Sequence, residues 1–357
     1  MIYILNHAKN KNALTFAVLI FIFLISLSYR IIFVYNVNFT GLHMGTGLGH
    51  DEYYYNKTAA NLIEHGVFGY MTDAVPNAYI TPGYPLFLAA VYSVFGIGES
   101  GILYAKLIQA FLSSFSVLLV FLIGKKISDT KVGIISAAFV SVYPPLVFYS
   151  RFLLTETLYI FLFLLYFYTQ LSAFKKEGYF LHFASGVVFA AAILTRPLIF
   201  ALMPLPYIYT FFRCKSGFRK TAFSFLIFLL GFILLMSPWW IRNIITMKKF
   251  ILLCTQSNPF YYGIIENYAE LPQSDNELID GIRLILHYLK TKPVETVKWY
   301  TIGKINIIFG KQDYWIQQGH MYLSSVYMLH YLIFITGSIG VVMSLFVEKI
   351  RLISAYI

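Results

Sequence analysis

Long apolar runs, bounded by charges, glycines and prolines, account for most of this chain. A helix needs roughly 20 apolar residues to cross a hydrocarbon core of about 30 Å. Runs near that length fall at about 13–35, 101–124, 132–149, 153–172, 180–195, 197–212, 221–240 and 327–347, which predicts eight crossings. Because a helix in lipid satisfies its own backbone hydrogen bonds, the pattern predicts an all-α integral membrane bundle. Two long polar-and-apolar segments, 36–100 and 241–326, lie between crossings. In the first, AYITPGYPLFLAAVYSVFG has too short an apolar part to span and carries Pro82 and Pro85, so it reads as a helix lying in the interface. In the second, SDNELIDGIRLILHYLK predicts an amphipathic helix capped by Ser274 or Asp275, and Pro293 opens another. The expected organisation is a transmembrane core over 1–240 that includes the first loop, an outer loop with amphipathic helices over 241–326, and a last helix and tail over 327–357.

Composition agrees with this reading. The chain is 59% hydrophobic and only 12% charged, which sets it apart from soluble domains. The first apolar run follows the basic segment HAKNKN, but it is long for a signal peptide and no small-x-small site follows, so a retained span is expected. Short basic connections fall on one side: Lys9 and Lys11; Lys125, Lys126 and Lys131; Lys175 and Lys176; Arg213, Lys215, Arg219 and Lys220; Lys349 and Arg351. The positive-inside rule makes that side the cytoplasm, with both termini there, and puts the two long segments on the outer face of the cell membrane. This topology absorbs much of the net charge of +11, and no nucleic acid partner is expected. Cys214 and Cys254 fall on opposite sides, which excludes a disulfide between them.

A second set of cations is not explained by topology: Arg30, Lys106, Arg151, Arg196 and Arg242 sit at outer span ends. An ionisable group at membrane depth costs about 2.5–3.5 kcal/mol, so it faces a partner, a cavity or the headgroups. Arg30 and Lys106 fit snorkelling to headgroups. Arg196 is held in the tight LTRP turn, and Arg242 follows Trp239 and Trp240 in PWWIRN, read here as the end of a span. Fixed guanidinium groups suit bidentate phosphate contacts, and a lipid phosphate is the anion found at this depth. Arg151 and Glu156 share FYSRFLLTETLY at the mouth of another span.

Just after the first span comes GHDEYYYNKTAANLIEHG, with two adjacent carboxylates. A helix beginning near residue 51 puts Asp51, Tyr55, Thr58, Leu62 and His65 on one face and turns Glu52 away by about 100°. Asp51 also reads as an N-cap and Glu52 as a first-turn acid. The surrounding cations and the three tyrosines at 53–55 favour a polar pocket. His50 beside Asp51 leaves a divalent metal open, although the sequence shows no convincing His/carboxylate ligand set. Asn56-Lys57-Thr58 matches the short N-glycosylation pattern, which is often a coincidence.

The order of Arg30, Asp51-Glu52 with Tyr55, TPGYPLFLA at 81–89, LTET at 154–157, LTRP at 194–197 and PWWIRN at 238–243 resembles the GT-C superfamily of membrane glycosyltransferases. The nearest branch holds dolichyl-phosphate-mannose protein mannosyltransferases and bacterial aminoarabinose transferases. The resemblance implies a sugar donor on a polyprenyl phosphate, inverting transfer outside the cytoplasm, and the acidic pair in the active site; certain relatives carry a metal there. On this basis Asp51 is expected to act as base with Glu52 in support. Arg196 and Arg242 would hold the donor phosphate, assisted by Arg151 or Lys106, while Tyr55, Tyr84, Glu156 and Asn243 would line the substrate site. The acceptor, whether lipid, glycan or protein, stays open, since the terminal domain of larger members has no counterpart in this sequence. Two rivals are a lipid-linked glycan polymerase, which explains the acidic pair less well, and a transporter, which would place ionisable groups near the bilayer midplane.

Overall fold

The computed structural model describes residues 2–35, 48–72, 75–176, 178–213, 217–256, 258–265, 271, 274, 276–307 and 323–344. Among them the regular structure is helical. Two compact units emerge: one takes in Met1–Leu253 and Ser325–Ile357, the other Cys254–Ser324.

The larger unit contains α1 (Ile2–Tyr35), α2 (Leu48–His65), α3 (Gly83–Phe95), α4 (Glu99–Ile127), α5 (Thr130–Ser141), α6 (Pro144–Tyr149), α7 (Thr155–Lys176), α8 (Tyr179–Thr195), a 3-10 turn (Pro197–Leu202), α9 (Leu205–Arg213) and α10 (Phe218–Met247). Four segments are long and apolar enough to cross a membrane: Asn12–Tyr35, Glu99–Ile127, Thr155–Lys175 and Phe218–Met247. The apolar helices at Thr130–Ser141 and Tyr179–Thr195 are shorter. Two expected spans are not continuous. The run 132–149 breaks at Pro144 and Pro145, and the run 197–212 divides into the 3-10 turn and α9 around Pro204 and Pro206. Proline lacks the N–H and its ring clashes with the preceding turn, so each pair resets the helix. The opposite correction applies to α10, which continues through Pro238 to Met247 instead of stopping at 240.

Two helix junctions position the site. At the α8–α10 crossing, a Cβ on Gly186 would lie 2.0 Å from the Phe228 carbonyl oxygen, so only glycine permits this approach. At the start of α3, a Cβ on Gly83 would lie 2.7 Å from the Leu194 carbonyl carbon and oxygen. Thr81 Oγ1 also donates to the Thr195 carbonyl at 3.3 Å. TPGYP and LTRP, more than a hundred residues apart in sequence, are therefore packed backbone to backbone. An aromatic core of Phe189, Phe228, Phe232, Met236 and Trp239 between α8 and α10 extends to Phe68, Tyr70 and Ile80 of the loop 66–80.

The smaller unit holds α11 (Asn258–Tyr262), α12 (Glu277–Thr291), α13 (Pro293–Lys298) and a π turn (Trp299–Gly303). Asn276 caps α12 by accepting from the Ile279 N–H at 3.3 Å. Ser274 does not cap it directly; its hydroxyl donates to Asp280 and accepts from the Asn276 N–H. Asp275 lies outside the described residues, as does Cys214, whereas Cys254 is a free thiol. The last helix, α14 (Leu323–Ser344), carries His330, whose Nδ1 pairs with the Tyr143 hydroxyl at 2.7 Å.

Candidate functional site

Helix α2 starts at Leu48, so Asp51 lies within its first turn and is not its N-cap. Adjacent residues on a helix leave it about 100° apart, and the two carboxylates accordingly enter different surroundings. Glu52 is buried, with 2% of its side chain exposed. Its Oε1 accepts from the Leu153 N–H at 2.9 Å and lies 3.4 Å from Lys106 Nζ. Lys106, which as a snorkelling residue would reach outward, is turned inward by this pairing. Asp51, by contrast, has 54% of its side chain exposed. Its Oδ1 accepts from the Tyr70 hydroxyl at 3.0 Å, and His50 Nδ1 stands 3.8 Å away. Burial, and then the Asp51 charge, push the Tyr70 hydroxyl far above its ordinary pKa, so it stays a proton donor.

The strand of chain before α7 is held from two sides. Gln109 of α4 donates to the carbonyls of Ser150 and Phe152 at 3.2 and 2.7 Å and accepts from the Tyr84 hydroxyl at 2.6 Å. Glu52 fixes Leu153 from the α2 side. Tyr84 is fully buried, with its hydroxyl engaged by Gln109. Arg151 is also buried, its guanidinium 4.5–4.9 Å from the ring centres of Phe33, Phe148 and Phe152. Among the described residues its Nε and Nη1 find no acceptor. Arg30 is fully buried rather than snorkelled; it donates to Ser113 Oγ, Ser26 Oγ and the Ser141 carbonyl.

Arg196 and Glu156 form an ion pair at the mouth of α7 and α8. Burial disfavours the Arg196 charge, but Glu156, with Tyr55 and Tyr159, outweighs it and holds the guanidinium above its ordinary pKa. Tyr55 links the two sides: burial comes first, and the charges of Asp51 and Glu156 further raise its hydroxyl pKa. Its ring contacts those of Tyr70 and Tyr84 at 5.7 and 5.1 Å. Asp51, Tyr55, Glu156 and Arg196 therefore share one electrostatic neighbourhood.

PWWIRN does local work as well. Trp239 and Trp240 donate to the carbonyls of Leu253 and Leu252 at 2.7 and 2.8 Å. Arg242 donates to the Phe68 and Asn77 carbonyls, and its Nη1 reaches Asn243 Oδ1 at 2.9 Å. Asn243 is fully buried. The N-glycosylation triplet is occupied in α2: Asn56 Oδ1 accepts from Tyr92 and the Thr58 hydroxyl bonds the Tyr54 carbonyl.

A family model for dolichyl-phosphate-mannose-protein mannosyltransferases matches residues 79–241. The fold matches the crystal structure of the apo oligosaccharyltransferase of Archaeoglobus fulgidus with a TM-score of 0.60 at 14% identity, over 96% of this chain and 46% of that one. The archaeal oligosaccharyltransferase AglB from the same organism, solved with an inhibitory peptide and a dolichol-phosphate, matches with a TM-score of 0.54 at 16% identity, over 97% and 38%. Less than half of the chain thus resembles that mannosyltransferase family, and its fold is similar to that of the archaeal oligosaccharyltransferases. The chain spans less than half the length of these solved structures. No curated protein matches it by sequence.

Within this chain the matched region covers TPGYPLFLA, LTET, LTRP and most of PWWIRN, whereas Asp51 and Glu52 precede it. Sequence reasoning missed Tyr70, Asn77 and Gln109, the residues that fix the surroundings of the two carboxylates. The Pro76-Asn77 pair is a recognisable turn signal, but nothing in the pattern points to Tyr70. For a metal, the described residues do not bring three His, Cys, Asp or Glu side chains together. Among the described residues His50 and Asp51 alone do not make a ligand set.

Proposed function

We propose that this chain is a GT-C-type membrane glycosyltransferase that moves a sugar from a polyprenyl-phosphate donor to an acceptor on the outer face of the cell membrane, with inversion. The observation that carries the reading is the division of the acidic pair: Asp51 is open and oriented by Tyr70, while Glu52 is buried and engaged. Asp51 takes the proton from the acceptor nucleophile as that atom attacks the anomeric carbon. The bond from that carbon to the phosphate oxygen breaks, and the polyprenyl phosphate leaves with the electron pair. Cations meet the charge that builds on the leaving phosphate. Arg196 is best placed for this, with Lys106 and Arg151 adding positive potential from deeper in the protein and Arg242 from the α10 side. A hydrolase would use two carboxylates flanking the bond, and here the second carboxylate points into the core.

Basic connections put both termini in the cytoplasm and the loop 36–100 outside. The exposed Leu278, Ile282, Leu286 and Leu289 of α12, with basic Lys290 and Lys292 at its end, suit a helix lying in the outer interface. The similar archaeal structure, in complex with an inhibitory peptide and a dolichol-phosphate, favours a lipid-linked donor and admits a protein acceptor for this chain. Mass spectrometry of envelope glycans, lipids and glycoproteins from cells with and without the gene tests the reading. A sugar missing from one acceptor class supports it; identical profiles, together with no transfer by the purified protein in liposomes, overturn it.

A further inference from the structure

We infer that Arg242 serves this reaction as a positioning residue, acting through the loop 66–80 to set the Tyr70–Asp51 hydrogen bond. The inference rests on the transferase reading with Asp51 as base. Arg242 Nη2 donates to the Phe68 carbonyl at 2.7 Å and Nη1 to the Asn77 carbonyl at 2.8 Å. Those carbonyls belong to the two legs of the loop, which the Asn77 N–H closes onto the Phe68 carbonyl at 3.1 Å. One guanidinium thus ties both legs to α10.

The guanidinium is itself fixed. It lies 5.4 Å from the Phe68 ring centre and 5.2 Å from that of Trp239, and these two rings meet edge to face. A third hydrogen bond goes to Asn243 Oδ1. With both Nη1 donors and one Nη2 donor committed to protein acceptors, the end-on fork of Arg242 is occupied, and a phosphate would meet only its Nε edge. Among the described residues the Arg196 guanidinium hydrogen-bonds to Glu156 alone.

From the tied legs the order passes to Tyr70. Asn77 holds the Tyr70 backbone at both ends, its Nδ2 donating to the carbonyl at 2.9 Å and its Oδ1 accepting from the N–H at 3.2 Å. The next residue, Met71, has φ of 61°, a left-handed conformation that a side-chain-bearing residue keeps only where its surroundings impose it. The Tyr70 ring stacks on Tyr79 at 5.8 Å, and its hydroxyl arrives 3.0 Å from Asp51 Oδ1. The clamp therefore fixes the direction of the base, and misplacement of a reacting group by about 1 Å costs on the order of 10²-fold in rate.

The test uses purified full-length protein in liposomes with polyprenyl-phosphate-linked sugar as varied donor. Arg242→Gln and Tyr70→Phe should each lower kcat, by on the order of 10-fold to 10²-fold, with donor KM within about twofold of wild type. The double variant should be no slower than the slower single one, and Arg242→Lys, which cannot span both carbonyls, should not restore the rate. A raised donor KM with kcat kept, or additive losses, overturns the inference in favour of a phosphate contact. Hydrogen exchange supplies a readout independent of transfer. In Arg242→Gln the Tyr70 and Tyr79 amides should exchange faster while those of α8 stay protected; unchanged loop exchange sinks the clamp. Absence of transfer by the wild-type protein would count against the proposed function, and the exchange result would still decide the clamp.

Discussion

The two faces of α2 at residues 51 and 52 carry the same chemistry and meet opposite fates. On one face Glu52 is enclosed by α4 and the chain before α7, with every partner drawn from the protein. On the other face Asp51 is more than half exposed and receives a hydroxyl from a loop that α10 clamps. A carboxylate buried against a lysine holds helices in register, but it has no room for an acceptor. An exposed carboxylate contributes little to folding, yet it is available to a substrate. The lesson is that helical twist alone divides a buried anchor from an exposed carboxylate, one residue apart.

Asp51→Asn puts the largest demand on this contrast. Transfer should fall by about 10²–10⁴-fold, the usual contribution of a positioned general base. Thermal stability in detergent should change little, because exposed substitutions stay within about 0.5 kcal/mol. Transfer at the wild-type rate would remove the contrast altogether. Glu52→Gln is its mirror image. It leaves Lys106 buried without its carboxylate, which should destabilise the protein by about 3–5 kcal/mol, read as a lower unfolding midpoint. Adding Lys106→Met should recover much of that loss; a fully additive double variant would show that the pair is not coupled.

Arg196→Gln probes the open side. Donor KM should rise by about tenfold or more, the scale of one charge-assisted hydrogen bond of about 1.5–3 kcal/mol, and this is checked by varying donor at saturating acceptor. An unchanged KM would move the phosphate elsewhere. The smallest effect is expected for Gly83→Ala, where the added methyl meets the Leu194 backbone. Overpacking of that kind costs about 1–3 kcal/mol and should loosen α3 from α8, read as faster amide exchange at the start of α3. Protection equal to wild type would show that the TPGYP–LTRP junction tolerates a side chain.

Much of the bundle is legible from the chain because lipid imposes a strong rule: apolar runs become helices. The runs at 13–35, 101–124, 153–172 and 221–240 coincide with helices long enough to cross. The runs at 132–149 and 197–212 were less transparent, since hydropathy does not register what Pro144, Pro145, Pro204 and Pro206 do to backbone hydrogen bonding. At the site, the outer-end cations and the acidic pair stand out as charges in an apolar chain. Their partners do not. Lys106 looks like a snorkelling residue until α4 is packed against α2, and Arg242 looks like a free fork until the loop 66–80 closes on it.

Period and polarity along the chain sufficed for a helical membrane protein and for the roughly 100° divergence of Asp51 from Glu52. Burial of Glu52 rather than Asp51, the seating of TPGYP on LTRP and the hydroxyl of Tyr70 on Asp51 all required the assembled fold. The reason is physical. Periodicity is a local property of a few turns, whereas these contacts join residues from 19 to 114 positions apart, whose meeting depends on packing between helices.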